Sequence, residues 1–308
     1  MVLVPTLIYW ATNKWKPALA FSKKSFKELF NFGVFMFLTT LLSTFVNNVQ
    51  GLLIGKLYSP STMGYYSKAQ STEKLAATSL SQVISQVSYP LYAELQDDKE
   101  RLIGVIKKLA LSTAFMTFPL MLLLVLVAKP VFILLYSEKW IPAVPFFQIL
   151  CIAGLAICLQ AVNSQAIAAV GKSKAMFNWS VVKQFTGLGF MLAGFYMFGM
   201  KGLLIGMVMK SWLIFLINAA LVSRFIGYRL TQQLLDLLPV LLLSLASFLG
   251  AYYVVSMVEF SLYVEALISA FIFGVIYFAG AVAAKLYAFA LCKDLLSPYL
   301  KKFLRMAK

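Results

Sequence analysis

Eight long apolar stretches constrain the fold of this chain more than any other feature of its sequence. They lie at 29–53, 73–93, 106–128, 144–169, 176–199, 202–223, 235–257 and 263–285. A helix that crosses a bilayer needs about 20 mostly apolar residues, and each stretch provides them. The alternating pattern of β-barrel strands is absent, and lipid admits only helices or closed barrels. The sequence therefore predicts an all-α membrane protein, a polytopic helical bundle of about eight transmembrane helices.

The composition also indicates a bilayer rather than water as the solvent. Of the 308 residues, 61% are hydrophobic and only 12% are charged, whereas a soluble protein carries about a quarter of charged residues. The formal net charge is +16, from 27 lysines and arginines against 11 acidic residues. Because no RNA-binding motif accompanies this charge, we expect basic loops that face anionic membrane lipids, and no nucleic acid partner.

Basic residues cluster in alternate loops, and this asymmetry predicts the orientation. The clusters are Lys14, Lys16, Lys23, Lys24 and Lys27 before the first span, Lys99, Arg101, Lys107 and Lys108 after the second, and Lys285, Lys293, Lys301, Lys302, Arg305 and Lys308 in the tail. The positive-inside rule places this side in the cytoplasm. We therefore predict a multi-pass protein of the inner (plasma) membrane whose C-terminus is cytoplasmic.

The sequence contains few of the residues that enzymes and metal sites use. Histidine is absent, which removes the commonest general base and the commonest zinc ligand. Cys151 and Cys158 lie within one apolar run, Cys292 is remote, and no CxxC motif is present. These cysteines fit the role of small apolar fillers better than a disulfide or a metal site. We expect no catalytic residue, no cofactor and no metal ion.

Polar side chains recur at helical spacing inside several spans and mark candidate cavity walls. Asn47 belongs to such a stripe in the first span, Gln86 to one in the second, and Gln160 and Asn163 to one in the fourth. Small and polar residues also hold helices together in many membrane bundles. For Gln86, Asn163 and Asn218 the sequence is equally compatible with both roles.

Lys183 and Lys210 lie about two turns inside the predicted fifth and sixth spans. A lysine at membrane depth is a functional candidate, although one near an edge can extend its ammonium group to the headgroups. No carboxylate lies at the predicted midplane of any span. Cations among amides suit an anionic cargo rich in hydroxyl groups, because lysine attracts phosphate while Asn and Gln exchange hydrogen bonds with sugars.

The two ends of the chain differ from its middle. The last two spans carry no charge at depth, and Asp236, Glu259 and Glu265 lie at their rims, so we predict peripheral, lipid-facing helices. At the other end, the apolar run 1–10 is too short to span a bilayer. It has the character of the end of a helix whose beginning is missing.

Three segments resemble the lipopolysaccharide/O-antigen flippase family of the multidrug/oligosaccharidyl-lipid/polysaccharide exporter superfamily. They are NNVQGLLIGKLYSPSTMGYYSKAQS at 47–71, VSYPLYAELQDDKERL at 87–102 and EKWIPAVPFFQILCIAGL at 138–155. Members of that family typically show I-G-K/R, then G-Y-Y with a basic residue, then Q-D-D-x-E-R. The similarity in order and spacing extends through residues 25–225.

This resemblance implies a fold and a function. Members have two six-helix lobes and, when longer, two extra C-terminal helices. They move undecaprenyl-diphosphate-linked oligosaccharide across the inner membrane by alternating access during polysaccharide or lipopolysaccharide biosynthesis. Residues 29–223 would be the six-helix C-terminal lobe, 224–308 two peripheral helices with a basic cytoplasmic tail, and 1–28 the remnant of a preceding helix with a basic cytoplasmic loop.

The same resemblance implies that a fragment is present and that its partners are those of a flippase. The N-terminal lobe would be missing, and a half-site cannot alternate access alone. The partners would be the lipid-linked oligosaccharide, membrane lipids, the missing N-terminal lobe and other polysaccharide assembly proteins. Lys183 matches a commonly basic position of the family. Gln50 stands where members often carry Asp, which weakens an ion-coupling role for that position.

The function expected from the residues and the resemblance is flipping without covalent chemistry. Lys183 and Lys210 would attract the diphosphate or glycan acids, and Asn47, Gln86, Gln160 and Asn163 would contact sugars. The first alternative is a small-molecule (drug or cation) exporter of the same superfamily. A membrane polymerase or ligase of the same pathway fits less well, because the outer loops are short and histidine is absent. A scaffolding membrane protein is excluded only by the resemblance.

Overall fold

The computed structural model describes residues 21–257 and 261–293, and this part of the chain is helical without any strand. Its helices are α1 (Lys23–Leu57), α2 (Pro60–Glu94), α3 (Lys99–Leu126), α4 (Ala128–Tyr136), a 3-10 helix (Glu138–Ala143), α5 (Val144–Ala169), α6 (Ser173–Phe225), α7 (Leu230–Ser256) and α8 (Leu262–Ala283). The predicted all-α membrane fold is confirmed. The remnant helix at 1–10 and the basic tail at 294–308 lie outside the described residues, as does Glu259.

Helix starts follow local sequence. Ser59 precedes α2 and accepts a hydrogen bond from the backbone N–H of Thr62, with Pro60 in the first turn. Asp98 does the same for α3, where it accepts from the N–H of Arg101 at 3.1 Å. A short polar side chain at this position satisfies one of the free N–H groups of the first turn, and proline there loses no hydrogen bond. These signals fix where α2 and α3 begin.

Helix α5 is the centre of the bundle. It packs against α2, α3 and α6 more extensively than any other helix does in the described part of the chain. Small residues, among them Ala153, Gly154 and Ala156, are buried along it. In lipid, where burial of apolar surface drives no association between helices, such residues let backbones approach closely and pack. The core of the lobe therefore forms around α5.

Helix α6 folds back on itself. Its 53 residues would extend about 80 Å, far beyond a bilayer, but Phe198 and Gly199 leave helical geometry. Gly199 has φ of +61°, a backbone conformation that glycine adopts without steric cost. The two halves then run side by side, with Gly194 against Gly202. They correspond to the predicted spans 176–199 and 202–223.

Six helices within the described residues are long and apolar enough to cross a membrane. This number counts α6 once, although it is a hairpin of two halves. Helix α2, which contains the predicted span 73–93, is not among the six, because polar residues occupy much of its surface. The total of eight crossings remains a prediction.

Helices α7 and α8 pack against each other and against α3. The hydroxyl of Tyr277 donates to the backbone carbonyl of Phe115 at 2.9 Å, and the ammonium of Lys107 lies 2.7 Å from the carboxylate of Asp236. Their far faces expose large apolar side chains, including Leu249 and Phe271. This arrangement suits a pair of helices between the lobe and lipid, and neither helix lines the cavity described below.

Candidate functional site

A cavity of about 450 Å³ lies between α1, α2, α5 and α6. Each of the four helices contributes polar side chains to its wall. These include Thr39, Ser43 and Asn47 from α1, Gln70, Glu73 and Lys74 from α2, Gln160 and Ser164 from α5, and Ser180, Lys183, Gln184, Lys210, Ser211 and Asn218 from α6. A cavity wall with this many charged and amide groups favours a hydrated, polar ligand over an apolar one.

The two lysines occupy one wall of the cavity, on opposite halves of α6. Lys183 is 9% exposed, and its ammonium donates to the side-chain oxygen of Asn218 at 2.6 Å. Lys210 is 8% exposed, and its aliphatic stem lies across Gly187. A Cβ placed on Gly187 would come 2.5 Å from the Cγ of Lys210. Among the described residues no carboxylate forms an ion pair with either lysine. Two buried lysines therefore face the cavity without an ion pair among the described residues.

Amides on the other walls fasten the helices around the cavity. Gln160 donates to the backbone carbonyl of Ser211 at 2.7 Å and to its hydroxyl at 3.0 Å, which joins α5 to α6. Gln184 donates to the hydroxyl of Ser43 at 3.1 Å, which joins α6 to α1. Asn47 lines the cavity from α1 and is exposed. Gln160 thus has a structural partner as well as a place in the wall.

The structure brings four of the six residues selected from sequence into this cavity: Asn47, Gln160, Lys183 and Lys210. Asn163 is buried elsewhere, where its amide donates to the side-chain oxygen of Gln233 at 3.2 Å and joins α5 to α7. Gln86 is exposed on α2 and is not among the residues that line the cavity. The sequence was compatible with cavity lining or helix packing for these amides. Asn163 serves helix packing.

Glu73 is the residue of the cavity that sequence reasoning missed. It is 4% exposed, lines the cavity, and its Oε1 has no hydrogen-bond partner. The sequence placed it at the edge of a predicted span that begins at 73, whereas α2 begins at Pro60 and buries Glu73 more than three turns inside. The signal was available, because Tyr66, Gln70 and Glu73 recur at i, i+4 and i+7 and line one wall.

Tyr65, Lys68 and Thr72, between the first two predicted spans, make contacts outside the cavity. The ammonium of Lys68 lies 4.3 Å from the ring centroid of Tyr136 and 5.1 Å from that of Trp140. Tyr65 packs edge-on against Trp140, and the hydroxyls of Thr72 and Tyr136 are 3.1 Å apart. Cation–π and aromatic pairs of this kind are attractive. They fasten the start of α2 to α4 and the 3-10 helix.

Within residues 21–257 and 261–293, no three Cys, Asp or Glu side chains come together to hold a metal ion. Cys151, Cys158 and Cys292 are buried free thiols.

Comparison with known proteins indicates which family this chain resembles. A family model described as "Polysaccharide biosynthesis protein" matches residues 2–145. The lipopolysaccharide biosynthesis protein WzxC of Escherichia coli (strain K12) is 25% identical over 249 residues, which is 79% of this chain and 50% of that protein. These similarities support a protein of the polysaccharide/O-antigen flippase family.

Two further polysaccharide biosynthesis proteins are similar over shorter stretches. The teichuronic acid biosynthesis protein TuaB of Bacillus subtilis (strain 168) is 28% identical over 179 residues, 56% of this chain and 36% of that protein. The amylovoran biosynthesis protein AmsL of Erwinia amylovora is 21% identical over 180 residues, 57% of this chain and 45% of that protein. The chain thus spans half or less of the length of these relatives. No solved structure matches it.

Proposed function

We propose that this flippase-family chain acts in moving an undecaprenyl-diphosphate-linked oligosaccharide across the inner membrane, by alternating access, for polysaccharide biosynthesis. The observation that carries the proposal is the pair of buried lysines, Lys183 and Lys210, that face a polar cavity between helices without an ion pair among the described residues. A buried charge is costly unless it has a partner. A cargo that brings negative charge provides one.

The chemistry of the wall matches a glycolipid diphosphate. Lysine acts as a point charge for phosphate, and the amides of Asn47 and Gln160 can exchange hydrogen bonds with sugar hydroxyls. Gln86 and Asn163 lie outside the cavity, so we assign sugar contacts to Asn47 and Gln160 alone. Moving such a cargo breaks and forms no covalent bond, so the proposed function is transport and not catalysis.

The proposed site is tested by reversing the charge of Lys183 in the intact protein. Lys183→Glu places a carboxylate where the phosphate would bind, and we expect surface polysaccharide to disappear while the protein remains in the membrane. Lys201→Glu is the matched control, because Lys201 is exposed on the same helix and lies outside the cavity. Normal export by Lys183→Glu would remove this residue from the site.

One observation favours the second candidate, a small-molecule exporter that takes cations. Exporters of cations depend on acidic groups inside the membrane, and Glu73 places a carboxyl group in the cavity. A strain that lacks the gene for this chain distinguishes the two candidate functions. Loss of surface polysaccharide with unchanged resistance to cationic drugs supports the flippase, and the reverse pattern supports the exporter.

A further inference from the structure

Glu73 shares its cavity with three lysines and is paired with none of them. It lies on α2, is 4% exposed, and forms no ion pair with Lys74, Lys183 or Lys210 within the described part of the chain. The proposed function uses the lysines and leaves this carboxyl group without a role. A group of the opposite sign in the same cavity must affect how strongly the lysines hold an anion.

The carboxyl group rests against an apolar surface. Its Oε1 is buried without a hydrogen-bond partner. A Cβ placed on Gly154 would lie 3.1 Å from this oxygen, 2.9 Å from the sulfur of Met121 and 3.6 Å from the Cβ of Ala77. A charged oxygen among these groups is strongly disfavoured, because nothing there donates to it. The neutral, protonated carboxyl group fits this position.

The titratable groups near this carboxyl group come from three helices. They are Tyr66 and Lys74 on α2 itself, Cys151 and Cys158 on α5, and Lys183 and Lys210 on α6. Helix α3 contributes the uncharged Met121, and none of the α1 side chains that the structure describes in the cavity wall is titratable. The apolar position favours a protonated Glu73 and the neighbouring Lys74 favours an ionised one, so its charge is open to change with pH.

We infer that Glu73 is a proton-binding residue whose charge sets the affinity of the cavity for an anion. The inference rests on the proposed function, because it takes Lys183 and Lys210 as the anion site. When the carboxylate binds a proton it becomes a neutral carboxylic acid, and the charge of the lysines is available to the cargo. When it releases the proton, its negative charge opposes a second anion in the same cavity.

The size of the effect and its reciprocal follow from simple electrostatics. A unit charge about 10 Å away, at an effective dielectric constant of about 20, changes the affinity for a monovalent anion by about tenfold. Because linkage is reciprocal, an anion that binds more tightly when Glu73 is protonated also raises the affinity of Glu73 for the proton. Anion binding near the midpoint of the Glu73 titration is then accompanied by proton uptake from the solution.

The test compares the wild type with Glu73→Gln, which is neutral at every pH and close in shape. Binding of farnesyl diphosphate to the intact protein in nanodiscs is measured from about pH 5 to about pH 9, where buried carboxyl groups titrate. Titration of the probe and of the lysines affects both proteins, so it cancels in the ratio of their dissociation constants. We expect a ratio near one at the acid end and at least about tenfold weaker wild-type binding at the alkaline end, because the diphosphate carries more than one negative charge.

Further variants decide between the possible results. A ratio of dissociation constants that stays constant with pH overturns the inference. Loss of binding at all pH values by a correctly inserted Glu73→Gln also overturns it, because Glu73 would then be a cargo contact. Glu73→Asp keeps a titratable group and is expected to keep the pH dependence, whether or not Glu73→Gln folds. If the double variant Lys183→Gln/Lys210→Gln binds farnesyl diphosphate as well as the wild type does, the proposed anion site is wrong instead.

Discussion

Gly194 and Gly202 bring the backbones of the two halves of α6 into direct contact. A Cβ placed on either glycine would overlap the backbone carbonyl of the other. This close crossing folds a 53-residue helix into a hairpin, and the hairpin sets Lys183 opposite Asn218 and Lys210 opposite Gly187. The position of both cavity lysines therefore depends on two residues that line no part of the cavity.

Substitution at this crossing is expected to disrupt the hairpin. Gly202→Ala forces the halves apart, and overpacking of a tight contact costs about 1–3 kcal/mol or more of unfolding free energy. Gly189→Ala is the control on the same helix, since a Cβ there meets nothing within 4 Å. That change should be neutral or stabilising, by about 0.5–1 kcal/mol of helix propensity. Equal stability of both variants in denaturant titrations would contradict the tight crossing.

Removing the partner of Lys183 is expected to destabilise the fold. Asn218→Leu leaves a buried ammonium without its 2.6 Å acceptor, and an unsatisfied buried group costs about 1–3 kcal/mol, more when it is charged. Asn218→Asp keeps an acceptor and should keep the stability. By pairing with Lys183, the new carboxylate should also weaken binding of an anionic lipid. Thermal unfolding and lipid binding measure the two effects, and an unchanged melting temperature in Asn218→Leu would contradict the first.

The approach of Glu73 to α5 requires glycine at position 154. Gly154→Ala places a methyl group against the sulfur of Met121 and the Oε1 of Glu73, and we expect a loss of about 1–3 kcal/mol in unfolding free energy. Gly104→Ala is the control, because its surroundings are open. In a double-mutant cycle, Glu73→Ala should relieve part of the loss. Additive effects of the two changes would show that these residues are not in contact.

The environment of Tyr228 predicts that the stability of the protein falls at alkaline pH. It lies between α6 and α7, outside the spanning helices, and its hydroxyl donates to the carboxylate of Asp236 at 2.6 Å. Burial, followed by that hydrogen bond and the charge of Asp236, raises the pKa of Tyr228. Its contribution to stability is therefore complete below about pH 10, the ordinary pKa of tyrosine, and declines as the pH rises above that value.

The corresponding measurement compares Tyr228→Phe with the wild type across that range. At neutral pH the variant should lose about 1 kcal/mol with the hydrogen bond. Above about pH 10 the wild type should lose stability more steeply than the variant, so that the two curves converge. Parallel curves through this range would show that Tyr228 does not titrate as the folded structure requires.

The candidate site was only partly accessible from sequence. Lys183, Lys210, Asn47 and Gln160 were found because a charge or an amide inside an apolar stretch is conspicuous in a single span. Asn163 carries the same signal but pairs with Gln233, because a stripe of polar residues does not specify which helix it faces. Glu73 was missed because its span was drawn from hydropathy, while the helix that buries it extends back to Pro60.

The sequence by itself determined that this chain is a helical membrane protein that is similar to polysaccharide flippases. Apolar length and local motifs decide that, and both are properties of contiguous residues. Only the tertiary structure decided that α6 doubles back at Gly199, that α5 is the centre of the bundle, and that Glu73 shares a cavity with Lys183 and Lys210. These relations depend on how closely helices cross, which is set by side-chain packing between residues far apart in the chain.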